Sequence, residues 1–252
     1  MKESYNKVLT NFPLYSSDVQ MPIEQGRMFI ETTNKCIYVY EERIDYQRLY
    51  YFVPQGEEKE FSEYLENKRR NRLICEILEK ENMERQTSVV KVLLTEGFFK
   101  YKRYFKWEKD LSSISENDIS KNVSVPLSGE VLDEIIEMFD KYTDCVPLRD
   151  EWINYCKSRE MIISCKEGNL AGRLIFHKQK GFVNLDYIYV IPEYRGEGVS
   201  SVLMSEFSNI SRNILEVKKV NSWIEENNVY SIGTHMKADY KKTPQNKTVY
   251  IR

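Results

Sequence analysis

The stretch from Ile188 to Met204, IYVIPEYRGEGVSSVLM, constrains the fold of this chain more than any other part of the sequence. Its first residues are apolar and β-branched or aromatic, which is typical of a buried strand, and Pro192 ends the run. The loop RGEG, from Arg195 to Gly198, comes next, and an apolar stripe at helical spacing begins at Val199. The stretch therefore predicts a strand, a tight turn with two glycines, and a helix.

The start of this predicted helix is suited to an anion. First-turn N–H groups have no partner within a helix, and the helix dipole favours a negative charge beside them. Gly196 and Gly198 would let the backbone approach a phosphate without a Cβ atom in the way. The loop lacks the GK[ST] of a P-loop and the third glycine of the dinucleotide fingerprint. A bare G-x-G also fits an ordinary strand–turn–helix, so the wider pattern has to decide.

That wider pattern, V-x-P-x-Y-R-G-x-G-V-S-S-x-L, resembles the acetyl-CoA-binding motif R/Q-x-x-G-x-G/A of the GNAT N-acetyltransferase superfamily. Arg195, Gly198 and Ser200 stand at its three defined positions, and the serine departs from the usual Gly or Ala. The resemblance implies that backbone amides from Arg195 to Ser200, with Gly196 and Val199 between them, hold the CoA pyrophosphate. It also implies that the backbone of Val190 pairs with the pantetheine arm where two strands splay apart.

The order of predicted elements agrees with this resemblance. From about residue 125 to 252, the periodicity gives two helices, three strands, a helix, a strand, a helix and a last strand after a turn at Pro244–Asn246. This is the order of the GNAT fold. We therefore expect an α/β protein with a mixed α+β sheet and a GNAT fold in its C-terminal half.

The N-terminal half predicts an α/β domain of its own. Residues 27–53 read as a β-meander, and Ser88–Trp107 resembles the helix–strand ending of the C-terminal half. A degenerate GNAT-like repeat would account for that similarity. Glu108–Val125 has the composition of a linker. We place the boundary near residue 115, between an N-terminal domain at 1–115 and an acetyltransferase domain at 116–252.

Asp186 is the candidate general base. On the strand 182–191, alternation places it on one face with Asn184, Ile188 and Val190, and burial would raise its pKa towards neutrality. The resemblance implies that an acidic residue near this point removes the proton of the amine. Asp186 could instead be salt-bridged or could orient the substrate. His177, on an alternating strand, is interpreted as structural.

The segment from Asn228 to Tyr240 resembles the closing motif of the family, N-x-x-A/S-x-x-x-Y-x-x-x-G-F. Asn228 and Ser231 match it and are expected near the cofactor. At the position of His235, many members of the family have a tyrosine that protonates the departing CoA thiolate. An imidazolium could do the same, since its unperturbed pKa is about 6.5. His235 could equally hydrogen-bond the sulfur or simply pack.

Composition narrows the possible partners and the location. A net charge of −2 gives no general attraction to nucleic acid or to an anionic membrane. The five cysteines form no CxxC pair and no zinc spacing, so we expect no metal and reduced thiols in the cytoplasm. The N-terminus lacks an apolar h-region, and no apolar run reaches 18 residues.

The resemblance to the GNAT superfamily implies an N-acetyltransferase that moves an acetyl group directly from acetyl-CoA to a primary amine. Within that class, another acyl-CoA donor or a hydroxyl acceptor stays open. The alternative from a different class is a non-catalytic GNAT-like module that binds or senses acyl-CoA. The sequence does not identify the acceptor or the oligomeric state.

Overall fold

The computed structural model describes residues 8–12, 20–68, 72–81, 86–113, 124–144 and 146–252. Contacts within the chain divide it into two units. The first is Met1–Tyr104 together with Pro244–Arg252, and the second is Phe105–Thr243. The predicted domain boundary near residue 115 lies outside the described residues.

The first unit begins with a short strand and contains the predicted meander. Its elements are β1 (Val8–Thr10), α1 (Gln20–Glu24), β2 (Met28–Thr32), β3 (Ile37–Glu42), β4 (Gln47–Pro54), α2 (Glu58–Asn67), β5 (Leu73–Lys80), α3 (Thr87–Thr95) and the start of β6 (Phe99–Asp110). Strands β2, β3 and β4 pair in antiparallel fashion. Helix α2 buries Phe61, Tyr64 and Leu65, whose spacing of three and four residues puts them on one face of the helix.

The second unit contains the end of β6 and the elements that follow it. They are β7 (Val125–Pro126), α4 (Gly129–Ile135), α5 (Trp152–Lys157), β8 (Glu160–Lys166), β9 (Asn169–Gln179), β10 (Phe182–Val190), α6 (Val199–Asn213), β11 (Lys219–Glu225), α7 (Val229–Lys237) and the first residues of β12 (Lys241–Ile251). Strands β7 to β10 are antiparallel neighbours in chain order, and β11 runs parallel to β10. The predicted mixed sheet and element order are confirmed.

Helices cover both faces of the sheet strands in the second unit. Leu203 and Phe207 of α6 pack with Leu174 and Val183 in one apolar cluster, and Ile232 of α7 packs against the same cluster. On the other face, Leu132 of α4 and Cys156 of α5 pack with Met161 and Ile175. The α6–α7 face and the α4–α5 face are therefore separate sides of one sheet.

A β-bulge in β10 changes the predicted facing of its side chains. The register with β9 shifts between Leu185 and Tyr187, so Asp186 is an extra residue. Val183 and Leu185 belong to the α6 cluster, and beyond the bulge Ile188 packs against that same cluster. The strict alternation predicted for β10 is therefore wrong after Asp186, because one unpaired residue reverses the parity of the strand.

The turn expected at Pro244–Asn246 is also wrong. Strand β12 is continuous from Lys241 to Ile251, and its ladder with β5 begins where Gln245 pairs with Lys80. Pro244 stands just before that ladder, where its carbonyl accepts a hydrogen bond from the N–H of Glu81 at 2.7 Å. The missing N–H of a proline costs little at such a position.

Candidate active site

The glycine loop before α6 has the backbone conformation that an anion site needs. After a 3₁₀ turn at Pro192–Tyr194, Gly196 and Gly198 adopt left-handed φ angles of 84° and 82°. Gly198 is the N-cap of α6. A Cβ atom on either glycine would meet no atom within 4 Å, so the space beside the loop is open. The first-turn N–H groups of α6, including those near Val199 and Ser200, are available to a ligand placed there.

The charges of the loop are arranged by two contacts. Arg195 donates from Nε to the carbonyl oxygen of Val190 at 3.2 Å, which fixes the loop to the end of β10. Glu197 lies between the two glycines and forms a close ion pair with Lys166 at the end of β8. A free carboxylate there would repel a phosphate, and Lys166 offsets its charge. Sequence analysis missed Lys166, because nothing in the local pattern connects a hairpin turn with this loop.

Strands β10 and β11 diverge beside the loop. Their parallel register covers only Val183 with Val220 and Asn184 with Asn221, whereas β10 stays paired with β9 as far as Val190. The hydroxyl of Ser222 donates to the carbonyl of Leu185 at 3.2 Å. Past that point, the edge of β10 that faces β11 has left the ladder, so its backbone groups can pair with an extended ligand.

Asp186 lies in a polar cluster on the α4–α5 face. Its carboxylate is 2.7 Å from Nδ1 of His177, accepts from Nε of Arg159 at 3.1 Å, and accepts from the amide of Asn184 at 2.6 Å. The side chains of Asp186 and His177 are only 15% and 16% exposed. Arg159 stacks on the ring of Tyr155, with its Cζ atom 3.5 Å from the ring centroid.

This cluster reverses the pKa direction that the sequence suggested. Burial alone would raise the pKa of Asp186, but the hydrogen bond and charge of His177, with Arg159 and Asn184, outweigh it. The pKa of the carboxyl group therefore lies below its ordinary value. The expectation of a raised pKa was wrong because these partners were not recognised. Asp186 is held as a carboxylate whose oxygens are already occupied by donors.

Helix α7 brings together the three residues of the closing motif. Asn228 is the N-cap, and its side-chain oxygen accepts from the N–H of Ser231 at 3.0 Å. His235 lies one turn further on, and its Nδ1 is 2.8 Å from the carbonyl oxygen of Ser231. A carbonyl only accepts, so Nδ1 carries the proton and Nε2 carries the lone pair.

His235 is buried as a neutral imidazole. Burial lowers its pKa, and the hydrogen bond to the Ser231 carbonyl opposes this only in part. Its ring meets that of Tyr240 edge to face, with centroids 4.9 Å apart. Within the described residues, neither Nε2 of His235 nor the hydroxyl of Tyr240 has a hydrogen-bond partner. A buried polar atom without a partner is costly, so a water molecule or a ligand group would stabilise both atoms here.

The two predicted catalytic residues thus lie on opposite faces of the sheet. Asp186 belongs to the α4–α5 face through His177, the residue paired with Asn184. His235 belongs to the α6–α7 face, because Tyr240 is part of the α6 cluster. The structure brings Val190, Arg195 and the glycine loop together, and it keeps Asn228, Ser231 and His235 as a separate group on α7.

The first unit has a similar strand pair, but its gap is filled. Strands β4 and β5 are parallel at Gln47 with Leu73 and Arg48 with Ile74. Beyond that point β1 pairs with β4, at Thr10 with Phe52. Because Phe52 also pairs with β3, β1 must occupy the edge that faces β5. Asn11, which follows β1, joins the two strands by donating to the carbonyls of Leu49 and Glu76 at 3.0 and 2.9 Å.

The helix after β4 is also unsuited to a phosphate. The first turn of α2 carries Glu58 and Glu60. Glu60 accepts from the backbone N–H of Lys35 at 2.9 Å, and Lys35 also pairs with Glu57 at 2.6 Å. Acidic side chains thus occupy the position that the glycine loop holds in the second unit.

Two further observations concern other kinds of site. In the described part of the chain, no group of three or more His, Cys, Asp or Glu side chains is placed to hold a metal ion. None of the helices in the described ranges combines the length and apolar content that a bilayer crossing requires.

Comparison with known proteins identifies relatives of this arrangement. The sequence profile of the acetyltransferase (GNAT) family matches residues 130–240. A tandem GNAT protein from the clavulanic acid biosynthesis pathway shares 10% identity and superposes with a TM-score of 0.59, over 90% of this chain and 83% of that one. For a GCN5-related N-acetyltransferase from Sphaerobacter thermophilus the values are 10%, 0.59, 92% and 84%. No curated protein matches the sequence significantly.

The likeness to solved structures concerns the fold, since the sequence identities are so low. It spans both halves of the chain, and a tandem GNAT protein is among the similar structures. The predicted fold class, with a second GNAT-like half before the C-terminal one, is confirmed. The resemblance stated from the glycine loop is confirmed by the profile match at residues 130–240.

Proposed function

This chain carries an acetyltransferase domain of the GNAT family at residues 130–240, and from this premise we propose that it transfers an acetyl group from acetyl-CoA to a primary amine. The observation that carries the proposal is the left-handed glycine loop at the start of α6, beside the open edge of β10. Phosphate and an extended arm are the two parts of CoA that such a pair of features can bind.

In the proposed complex, the pyrophosphate lies against the backbone amides from Arg195 to Ser200. Gly196 and Gly198 allow the close approach, and Val199 begins the helix whose dipole favours the negative charge. The pantetheine arm extends along the open edge of β10 near Val190. Asn228 and Ser231 are proposed to lie near the cofactor at the start of α7, where Asn228 caps the helix by accepting from the N–H of Ser231.

The transfer itself needs a proton acceptor and a way to release the thiolate. The amine nitrogen, once neutral, attacks the thioester carbonyl carbon and forms a tetrahedral intermediate. The C–S bond then breaks, and CoA leaves as a thiolate. The polar cluster of Asp186 is proposed as the proton acceptor on one face of the gap, and His235 as the group beside the sulfur on the other.

The chemical state of His235 limits what it can do. With its proton on Nδ1 and a lowered pKa, it is neutral at pH 7 and has no N–H to give from Nε2. As the proposed acid, it would work only at a pH low enough to charge it. At neutral pH, we propose that Nε2 accepts a hydrogen bond from the CoA thiol, and that the thiolate takes its proton from solvent.

A non-catalytic role as an acyl-CoA-binding or sensing module is the second candidate. The occupied Asp186 carboxylate favours it, because a base whose oxygens all have donors is less available to a substrate. The four described cysteines are free thiols, which agrees with the cytoplasmic location that we propose for either activity.

One assay separates the two candidates. The purified chain is mixed with acetyl-CoA and a panel of primary amines, and free thiol is measured against time. An enzyme releases thiol in proportion to one amine or a few. A binding module takes up acetyl-CoA in calorimetry and releases none. Absence of acetyl-CoA binding would overturn both.

A further inference from the structure

The Asp186 cluster contains a second titratable group, His177, whose two ring nitrogens have different partners. Nδ1 lies 2.7 and 2.8 Å from the two carboxylate oxygens of Asp186. Nε2 lies 2.7 Å from the side-chain amide nitrogen of Gln179. A carboxylate only accepts and an amide nitrogen only donates, so both contacts require the same tautomer. The proton is on Nδ1, and the lone pair of Nε2 points away from the carboxylate.

This tautomer is the one that a general base needs. In a proton-accepting histidine, a carboxylate fixes the N–H side of the ring, and the other nitrogen meets the substrate. Asp186 is held as an ion by Arg159 and Asn184, so it can stabilise an imidazolium without taking the proton itself. Gln179 is exposed at the end of β9, and an incoming amine can replace its amide at Nε2.

The position of the pair relative to the gap supports this role. His177 is paired with Asn184, which is also the last residue of β10 in register with β11. The bulge at Asp186 follows directly, and the edge of β10 opens beyond it. The pair therefore lies where the ladder ends and an acceptor can approach the arm of the cofactor. Among the described residues, the charged groups in contact with this pair are Asp186 itself, at Nδ1 of His177, and Arg159, which donates to Asp186.

We propose that His177 takes the proton from the acceptor amine and that Asp186 is the residue that positions it. The proposal rests on the proposed acetyl transfer and deepens it. An ammonium substrate gives one proton to Nε2 of His177, its nitrogen forms the C–N bond, and the C–S bond breaks. The nitrogen loses two protons, one through His177 and one directly, and both pass to solvent, from which the CoA thiolate takes one back.

The first test is the pH dependence of kcat/KM with an amine that the thiol assay has identified. In the wild type, the rate should rise with pH, because a general base accepts a proton only in its unprotonated form. His177→Gln should lose this limb and about 10²- to 10⁴-fold in kcat/KM. Asp186→Asn should keep the limb and lose less of the rate than His177→Gln does, because it removes only the group that orients the ring.

The opposite assignment gives a different result. If Asp186 were itself the base, Asp186→Asn would lose most of the rate, and His177→Gln would keep both its rate and its pH limb. That result would overturn the proposal. Exogenous imidazole provides a second measurement. It should restore part of the rate of His177→Ala and none of that of Asp186→Asn.

A third measurement does not depend on turnover. Nitrogen-15 NMR of the imidazole rings at pH 8 should show His177 protonated at Nδ1 and bare at Nε2. A proton on Nε2 would overturn the proposal even in an active enzyme. In calorimetry, His177→Gln and Asp186→Asn should bind acetyl-CoA with the affinity of the wild type. If the wild type released no thiol with any amine, the proposed function would be contradicted. The NMR measurement of the His177 tautomer does not depend on that activity, so the two failures can be told apart.

Discussion

Gly172 of β9 and Val199 of α6 are so close that a Cβ atom on Gly172 would lie 3.0 Å from Cγ1 of Val199. The same atom would lie 2.8 Å from the backbone carbonyl oxygen of Tyr189, which cannot move without disturbing β10. The absence of a side chain at Gly172 therefore sets how near the first turn of α6 lies to the sheet. Because that turn is the proposed phosphate site, we expect both the packing of α6 and the binding of acetyl-CoA to depend on Gly172.

We expect Gly172→Ala to destabilise the protein by about 1–3 kcal/mol, because the extra methyl group overpacks the contact. Displacement of α6 should also weaken the binding of acetyl-CoA. Thermal unfolding and calorimetry measure the two effects. Gly233→Ala, within α7, is the matched control, because its new Cβ would meet nothing within 4 Å. Alanine in a helix should stabilise there by about 0.5–1 kcal/mol. An unchanged Tm in Gly172→Ala would contradict the packing argument.

Gly198 allows a test of the phosphate loop itself. Gly198→Asp places a carboxylate at the N-cap of α6, and we expect at least a tenfold loss of acetyl-CoA affinity in calorimetry. Gly181→Asp is the matched control, since Gly181 has a φ of 87° against 82° for Gly198 and both have open space around them. The two variants should lose similar stability from backbone strain. Equal acetyl-CoA affinity in both would show that the loop does not hold the cofactor.

Sequence periodicity and turn residues predicted most elements of the second unit, because both signals are local. The bulge at Asp186 has no such signal, since an extra residue exists only in relation to the register of β9. The partners of Asp186 were missed for a similar reason. His177 is nine residues away across a hairpin, and Arg159 is 27 residues away before β8. An aspartate within an apolar strand marked the position, but the sequence could not tell which cations or amides would meet it.

The residues around Pro244 show a second reason why local sequence patterns fail to predict structure. Pro, Gln and Asn in succession are typical of a turn, and this local signal predicts one. In the structure, pairing with β5 overrides this preference from Gln245 onward. The strand belongs to the first unit from Pro244 to its end, and to the second unit before it. Long-range pairing of this kind leaves no trace in local composition.

His235 should make stability depend on pH. Its pKa is lowered in the folded state, so the unfolded chain binds the proton more readily. The contribution of the neutral His235 ring to the free energy of unfolding is fully present above the pKa of an unfolded histidine, about 6.5. This contribution is lost as the pH falls towards the lower pKa that His235 has in the folded protein. Urea unfolding between pH 5 and 8 measures this. His235→Phe should flatten this part of the curve, and an unchanged slope would show that the ring is not buried neutral.

The extent of the second unit can be tested with fragments. Phe105, Trp107 and Leu111 belong to the apolar cluster of α6, so a fragment that starts at residue 116 lacks part of its own core. We expect the fragment 116–252 to aggregate or to lose near-UV circular dichroism. A fragment that starts at residue 99 retains all of β6. We expect it to aggregate less and to keep more of its near-UV circular dichroism than the fragment 116–252. A cooperative unfolding transition in the shorter fragment would show that β6 is dispensable.

The last prediction concerns the first unit, where β1 and Asn11 occupy the gap between β4 and β5. Because this gap is filled and the first turn of α2 is acidic, we expect calorimetry to give one acetyl-CoA per chain. Asn11→Ala removes the bonds donated to the carbonyls of Leu49 and Glu76, a longer one to Sγ of Cys75 at 3.5 Å, and the bond that Asn11 accepts from the N–H of Tyr51 at 2.9 Å. It should cost about 2–3 kcal/mol of unfolding free energy. The control Asn67→Ala removes one exposed bond to the carbonyl of Glu63 and should cost far less.

A stoichiometry of two acetyl-CoA molecules per chain in the wild type would show that the first unit binds the cofactor as well. If only Asn11→Ala binds two acetyl-CoA molecules per chain, then β1 blocks a second cofactor site that can still bind.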